Sequence, residues 1–245
     1  MEGGFQGGPR AHLKKGMLYG GMDMTFRASL RRAGSYLLLA AIGVVPTLAL
    51  AATIEFAFFS RMTQLMGRSA LTGAVVGGLQ FLGFGIAYAL IARAIQAQRA
   101  GYEPSVGSAM RGLGSAAGPL AAVLLISAAF VGALYLVEAA IAVAAKLFLS
   151  VAPIAAAVDG GTALTAFRRG VSTVLRAPVG TVLVVGLAEL AMIMLDLMRL
   201  VFSMTAAEYG HFSFGVQGAS AAIASVIAAG AGVALRIIYR KAGVR

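Results

Sequence analysis

The chain has no cysteine and no tryptophan, and its two histidines, His12 and His211, lie far apart. Without cysteine there is no disulfide, no thiolate nucleophile and no sulfur-ligated metal. Two isolated histidines, with no carboxylates at ligand spacing, leave no metal site to propose. No cofactor motif is present either. Charge is scarce: Asp, Glu, Lys and Arg make up 12% of the residues, about half the ~25% of a soluble domain. Acidic residues are the scarcer kind, 9 against 20 basic ones.

What is present is apolar. Hydrophobic residues make up 60% of the 245 and the mean hydropathy is +0.88. Too few polar groups remain to cover a water-exposed surface, so the chain's solvent is a bilayer. Glycine, at 32 residues, suits close helix–helix approach where lipid supplies no hydrophobic drive. The expected fold is all-α, a polytopic bundle of about six transmembrane helices arranged as three hairpins with cytoplasmic interfacial helices.

Residues 1–21 are glycine-rich and weakly basic (Gly3, Gly4, Gly7, Gly8, Lys14, Lys15) and read as a flexible cytoplasmic tail. No signal peptide is expected, since the first apolar run begins near Ser35 and is too long for one. Residues 22–242 read as a single transmembrane domain with spans over 35–59, 70–95, 117–137, 139–158, 178–204 and 216–239. Residues 117–158 form one nearly continuous apolar run, about twice the roughly 20 residues that cross a bilayer once. A hairpin turning near Glu138 is the favoured reading, with one long kinked helix as the alternative.

The cations give the orientation. Arg10, Lys14, Lys15, Arg27, Arg31 and Arg32 precede the first span, and Arg93, Arg99 and Arg111 lie around the second connection. Arg168, Arg169 and Arg176 lie in the fourth, and Arg236, Arg240, Lys241 and Arg245 at the C-terminus. All of these fall on one side, against Arg61 and Arg68 on the other, with Lys146 and Arg199 inside spans. The positive-inside rule places that side, and both termini, in the cytoplasm. The net charge of +11 is therefore a topology signal, and a nucleic-acid partner is not expected. The Ala/Gly/Arg bias points to a bacterial inner membrane.

A basic segment precedes the first, third and fifth spans. The three segments are residues 25–32 (TFRASLRR), 105–111 (SVGSAMR) and 162–169 (TALTAFRR), each with an apolar residue directly before an arginine: Leu30, Met110 and Phe167. Such segments suit interfacial helices that turn arginines toward anionic lipid. Pro119 and Pro178 stand where the following spans open.

The stretch from Phe148, FLSVAPIAAAVDGGTALTAFRRGVSTVLRAPVGTVLVV, carries a proline, an acidic residue and a short helix with paired arginines before the next span. It is similar to the membrane domain of glycerophosphoryl diester phosphodiesterases and to related six-span bacterial membrane proteins. Pro153, Asp159, Arg168 and Arg169 stand at the matching positions, and residues 101–119 resemble the preceding repeat more loosely. The family's catalytic barrel, with its histidine and acidic metal motifs, has no counterpart here, so the resemblance carries over no enzyme activity.

Candidate chemistry is thin. Glu55, Glu138 and Glu189 recur in or at the ends of the odd-numbered spans. An intramembrane carboxylate costs about 2.5–3.5 kcal/mol on insertion scales and marks either a polar pathway or a paired structural group. Glu55 and Glu138 sit near external ends, whereas Glu189 is deep enough to need a hydrogen-bonding neighbour. Asp196 and Arg199, at i and i+3, suit pairing on one helical face, and Glu138 with Lys146 across the external turn. Gln80 reads as interhelical glue. The glycines of residues 73–85 and 112–118 serve packing, since no GK[ST] follows them. His211 reads as a solvated loop residue.

The arginines of the basic segments, Arg31, Arg32, Arg111, Arg168 and Arg169, are the lipid-headgroup candidates. Glu189, Asp196 and Arg199 are the intramembrane polar candidates, and no catalytic residue is proposed. The function expected is that of a non-enzymatic membrane protein that organises lipids or a partner complex. Its partners would be anionic membrane lipids and a membrane protein or a second copy of the chain. The alternative is a transporter or permease subunit for a small solute or lipid, with Glu189, Asp196 and Arg199 lining a cavity.

Overall fold

A run of alanine, leucine and valine has no reason to stop being helical in lipid unless the backbone is interrupted, and the interruptions set this fold. The structure is a computed structural model that describes residues 31–54, 70–111, 113–208 and 214–243. Among them the helices are α1 (Arg31–Ile54), α2 (Ala70–Arg99), α3 (Val106–Met110), α4 (Ala117–Val137) and α5 (Ala139–Leu149). The remainder are α6 (Ala152–Asp159), α7 (Ala163–Arg176), α8 (Pro178–Glu208) and α9 (Phe214–Lys241). No strand occurs among the described residues.

The long apolar run breaks at Glu138, which adopts φ −162° and ψ 127° between α4 and α5. Its N–H still donates to the Leu134 carbonyl at 2.8 Å, closing the last turn of α4. The chain then returns: Leu124, before the break, and Pro153, after it, both border Gly85 of α2. The run is a hairpin, not a kinked helix. Its second arm is itself interrupted at Ser150 and Val151, and Pro153 sits in the first turn of α6, where its missing N–H costs nothing.

Among the described residues six helical stretches are long and apolar enough to cross a membrane: Arg31–Ile54, Gly73–Arg99, Ala117–Val137, Ala139–Asp159, Pro178–Met198 and Gly215–Lys241. Beyond the expected ends, α2 runs on to Arg99 and α8 to Glu208, while residues 55–59 of the first expected span lie outside the described residues. The outward faces confirm the solvent. Val179, Leu183, Leu187, Leu190, Met194 and Met198, recurring along α8, are each more than half exposed. A continuous apolar stripe of that length belongs against lipid, not water. The chain is a multi-pass membrane protein.

Helix α2 is the hub, packed against α3, α4, α6 and α9 and, through its glycines, against α1. A Cβ at Gly43 would stand 2.6 Å from the Gly83 carbonyl oxygen, and one at Gly78 would stand 2.9 Å from that of Ala128. The approach is reciprocal, since a Cβ at Gly132 would stand 2.9 Å from the Ala74 oxygen. Gly77, Gly78, Gly83 and Gly85 are thus a packing seam, as expected, whereas Gly73, Gly114 and Gly118 meet nothing within 4 Å and serve no close approach.

Several contacts gather at one end of the bundle. The Tyr36 hydroxyl donates to Gln98 Oε1 at 2.8 Å, and Arg93 Nη2 donates to the Arg111 carbonyl at 2.6 Å. Arg169 meets Asp159 at 2.8 Å, and Arg176 Nη1 donates to the Ala242 carbonyl at 3.1 Å. The start of α1, the ends of α2, α6 and α9, and the start of α8 therefore share one face.

The three basic segments are not equivalent. Residues 25–30 lie outside the described residues, and Arg31 and Arg32 already belong to α1. The second segment is only the single turn of α3, closed by a reciprocal Ser105–Ser108 capping box. The third is a full helix, α7, entered through Gly160 (φ 66°) and Gly161 (φ 86°), conformations that strain any residue with a Cβ.

Two outcomes test this packing and topology. Gly78→Leu or Gly132→Leu is expected to cost about 1–3 kcal/mol through overpacking, while Gly186→Ala, which meets nothing within 4 Å, is expected to be neutral or stabilising. Thermal unfolding in detergent reads both. Because the native chain has no cysteine, Glu138→Cys and Ala242→Cys each introduce a unique thiol. A membrane-impermeant maleimide should reach them from opposite sides; labelling of both from one side would contradict the six-span fold.

Candidate functional site

Two clusters of polar side chains stand out, one within the spans and one at the arginine-rich end. The first begins with Lys146 on α5, whose Nζ donates to Glu189 Oε2 of α8 at 2.8 Å. The lysine side chain is 5% exposed and the glutamate 20%, so the pair lies well inside the bundle. The same ammonium sits 5.3 Å from the centre of the Tyr135 ring of α4, within cation–π range. On α2, Gln80 Nε2 donates to Asp196 Oδ2 of α8 at 3.1 Å.

A periodicity explains how α8 supplies both acids. Val185, Glu189, Met192 and Asp196 follow helical spacing along one face, which turns toward α2 and α5. Between these helices lies a cavity of about 20 Å³ lined by Gln80, Tyr88, Lys146, Ser150 and Glu189, with Phe84 and Met192 among its apolar walls. That volume holds on the order of one water molecule, and the polar lining offers it partners.

The second cluster is built around the α6–α7 corner. Asp159, the last residue of α6, accepts a hydrogen bond from Tyr239 of α9 and a 2.8 Å contact from Arg169 Nη1 of α7. The Gly160–Gly161 turn folds α7 back so that Arg169 reaches Asp159. The close approach of Gly170 to Ala152, where a Cβ would lie 2.9 Å from the Ala152 nitrogen, keeps it there. Thr162 caps α7 by accepting from the Thr165 N–H at 3.2 Å.

The expected residues now separate. Glu189 has its hydrogen-bonding neighbour, Lys146. The expected Glu138–Lys146 pair does not form: Glu138 is exposed at the turn, and Lys146 points across to α8. Asp196 bonds Gln80, so Gln80 is interhelical glue as read; the side chain of Arg199 lies outside the described residues, as do Glu55 and His211. Arg31, Arg32, Arg111 and Arg168 are exposed, whereas Arg169 is committed to Asp159. Arg111 also stacks 5.3 Å over Tyr102.

Sequence reasoning passed over Tyr135, Tyr239 and Arg236 as site residues. The spacing of Arg236 to Tyr239, i and i+3, was the available signal, and the structure places the guanidinium 5.7 Å from that ring's centre. Among the described residues no three His, Cys, Asp or Glu gather to hold a metal ion. Glu189, Asp196 and Asp159 are instead engaged separately, by Lys146, by Gln80, and by Arg169 with Tyr239.

Breaking the intramembrane pair has a predictable sign. Lys146→Met or Glu189→Leu alone leaves an unpaired buried charge and is expected to destabilise by about 3–5 kcal/mol. The double replacement is expected to recover most of that loss, because two apolar groups need no partner. A thermal-unfolding double-mutant cycle in detergent measures this, and strictly additive losses would show that the two charges are not coupled.

No family model matches the chain, and no curated protein or solved structure matches it either.

Proposed function

We propose that this membrane protein organises lipids, or a partner complex within them, through the arginines at one end of the bundle and without catalysing a reaction. The observation that carries the reading is the outer face of α7. Leu164 and Leu175 are 60% and 68% exposed, and Val171 lies on the same stripe, with Arg168 exposed beside them. The opposite face, Ala166, Gly170, Thr173 and Val174, is buried against the bundle. A helix that offers leucines and an arginine together suits the headgroup level, where the leucines enter the acyl boundary and the guanidinium meets phosphate. Arg31, Arg32 and Arg111 extend the same basic end.

We take the resemblance of residues 148–185 to membrane domains of glycerophosphoryl diester phosphodiesterases as part of the same proposal. Its Pro153, Asp159, Arg168 and Arg169 make up the α6–α7 corner. The small cavity accords with this reading, since its volume of about 20 Å³ is on the order of one water molecule.

A permease subunit is the second reading, favoured by the polar series Tyr135, Lys146, Glu189, Gln80 and Asp196 on four helices. Extraction into native lipid discs, with mass analysis of co-purifying lipids and proteins, separates the two. An anionic lipid or a stoichiometric membrane partner is expected, reduced severalfold by combined Arg31→Ala, Arg32→Ala and Arg168→Ala substitutions. An unaccompanied protein with no lipid preference, together with liposome flux abolished by Glu189→Gln, would favour transport.

A further inference from the structure

The end of α9 carries a charge imbalance that the pairs above leave standing. Arg236 is only 6% exposed, yet its Nε has no hydrogen-bond acceptor among the described residues. The charged groups acting on it are Arg99 at the end of α2, Asp159 at the end of α6 and Arg240 one turn further along α9. Asp159 is the one carboxylate among them, and Arg169 and the Tyr239 hydroxyl already occupy it. Arg236 thus lies under the influence of two further guanidiniums, with one nearby acid that Arg169 already engages. Arg99 and Arg240 are exposed at the helix ends, while Arg236 is buried between them and the bundle interior.

A buried guanidinium N–H left without an acceptor is costly. Its planar fork matches two oxygens of a phosphate better than any other common anion except a carboxylate. Basic pockets between transmembrane helices at headgroup depth are suited to anionic headgroups. We propose that the ends of α2, α6 and α9 form a phosphate-binding site, with Arg236, Arg99 and Arg240 gripping the unesterified oxygens of a phosphate group. Asp159, Arg169 and Tyr239 are positioning residues that hold α6, α7 and α9 together beneath it. The inference rests on the lipid-organising reading and deepens it, because it locates a defined arginine cluster apart from the open face of α7.

The test is binding of short-chain phosphatidylglycerol to the purified chain in neutral detergent, followed by native mass spectrometry. Short-chain phosphatidylcholine is the comparison and inorganic phosphate the competitor. Arg236→Gln and Arg99→Gln should each weaken phosphatidylglycerol binding about fivefold, with Arg168→Gln close to wild type. Competition by millimolar phosphate would identify the ligand as free phosphate, and its absence would identify a lipid headgroup; either supports the site. Should Arg236→Gln fail to fold, the exposed Arg99 decides. Equal losses in all three variants, or a loss confined to Arg168→Gln, would overturn the site while leaving lipid organisation in place. Absence of any preference for phosphatidylglycerol in the native chain would overturn both.

Discussion

Lipid tails are as apolar as leucine, so nothing in a bilayer pushes two helices together as water would; they must hold each other by contact. The rest of the structure depends on that contact along α2. Gly43 against Gly83 and Gly78 against Ala128 bring main chain to main chain, with α1 on one side of α2 and α4 on the other. Once the backbones lie this close, the side chains that remain between helices are few, and each is placed with little freedom. The narrowness of the cavity beside Gln80 and Glu189 follows from the same closeness.

Close packing also decides where charge is tolerated. Deep in the bundle, Lys146 and Glu189 cancel one another, and Asp196 is bonded by an amide on α2. At the arginine-rich end, cations outnumber acids, and a single aspartate ties α6, α7 and α9 together. The two regions differ in surroundings: the first is enclosed among helices beside a cavity of about 20 Å³, and the second lies at helix ends where Arg99 and Arg240 are exposed. Arg236 links the two, since it belongs to the cationic end by sequence and to the interior by burial.

The spans were legible because hydropathy is a local property, and the one-residue break at Glu138 was legible because a 42-residue crossing does not fit a bilayer. Glycine as a packing residue and Gln80 as glue could be read from their apolar surroundings. The partner of Lys146 could not. Glu138 is nearer in sequence, but a lysine at mid-helix is served by whichever helix packs against it, and sequence separation says little about that. The basic segments were read as three copies of one unit, whereas α3 is a single turn and α7 is four. The difference lies in Gly160 and Gly161, whose left-handed turn lets a long helix fold back, and no comparable pair precedes α3.

The separation of Lys146 from Glu189 also bears on biogenesis. A chain threaded into the membrane from its N-terminus delivers the fourth span before the fifth exists, so the lysine arrives without its glutamate. During that interval the group at hand is the ring of Tyr135, on the helix inserted just before, 5.3 Å from the ammonium in the finished bundle. Of the two groups that face the ammonium, the aromatic ring belongs to the α4–α5 hairpin and the carboxylate to the later α8.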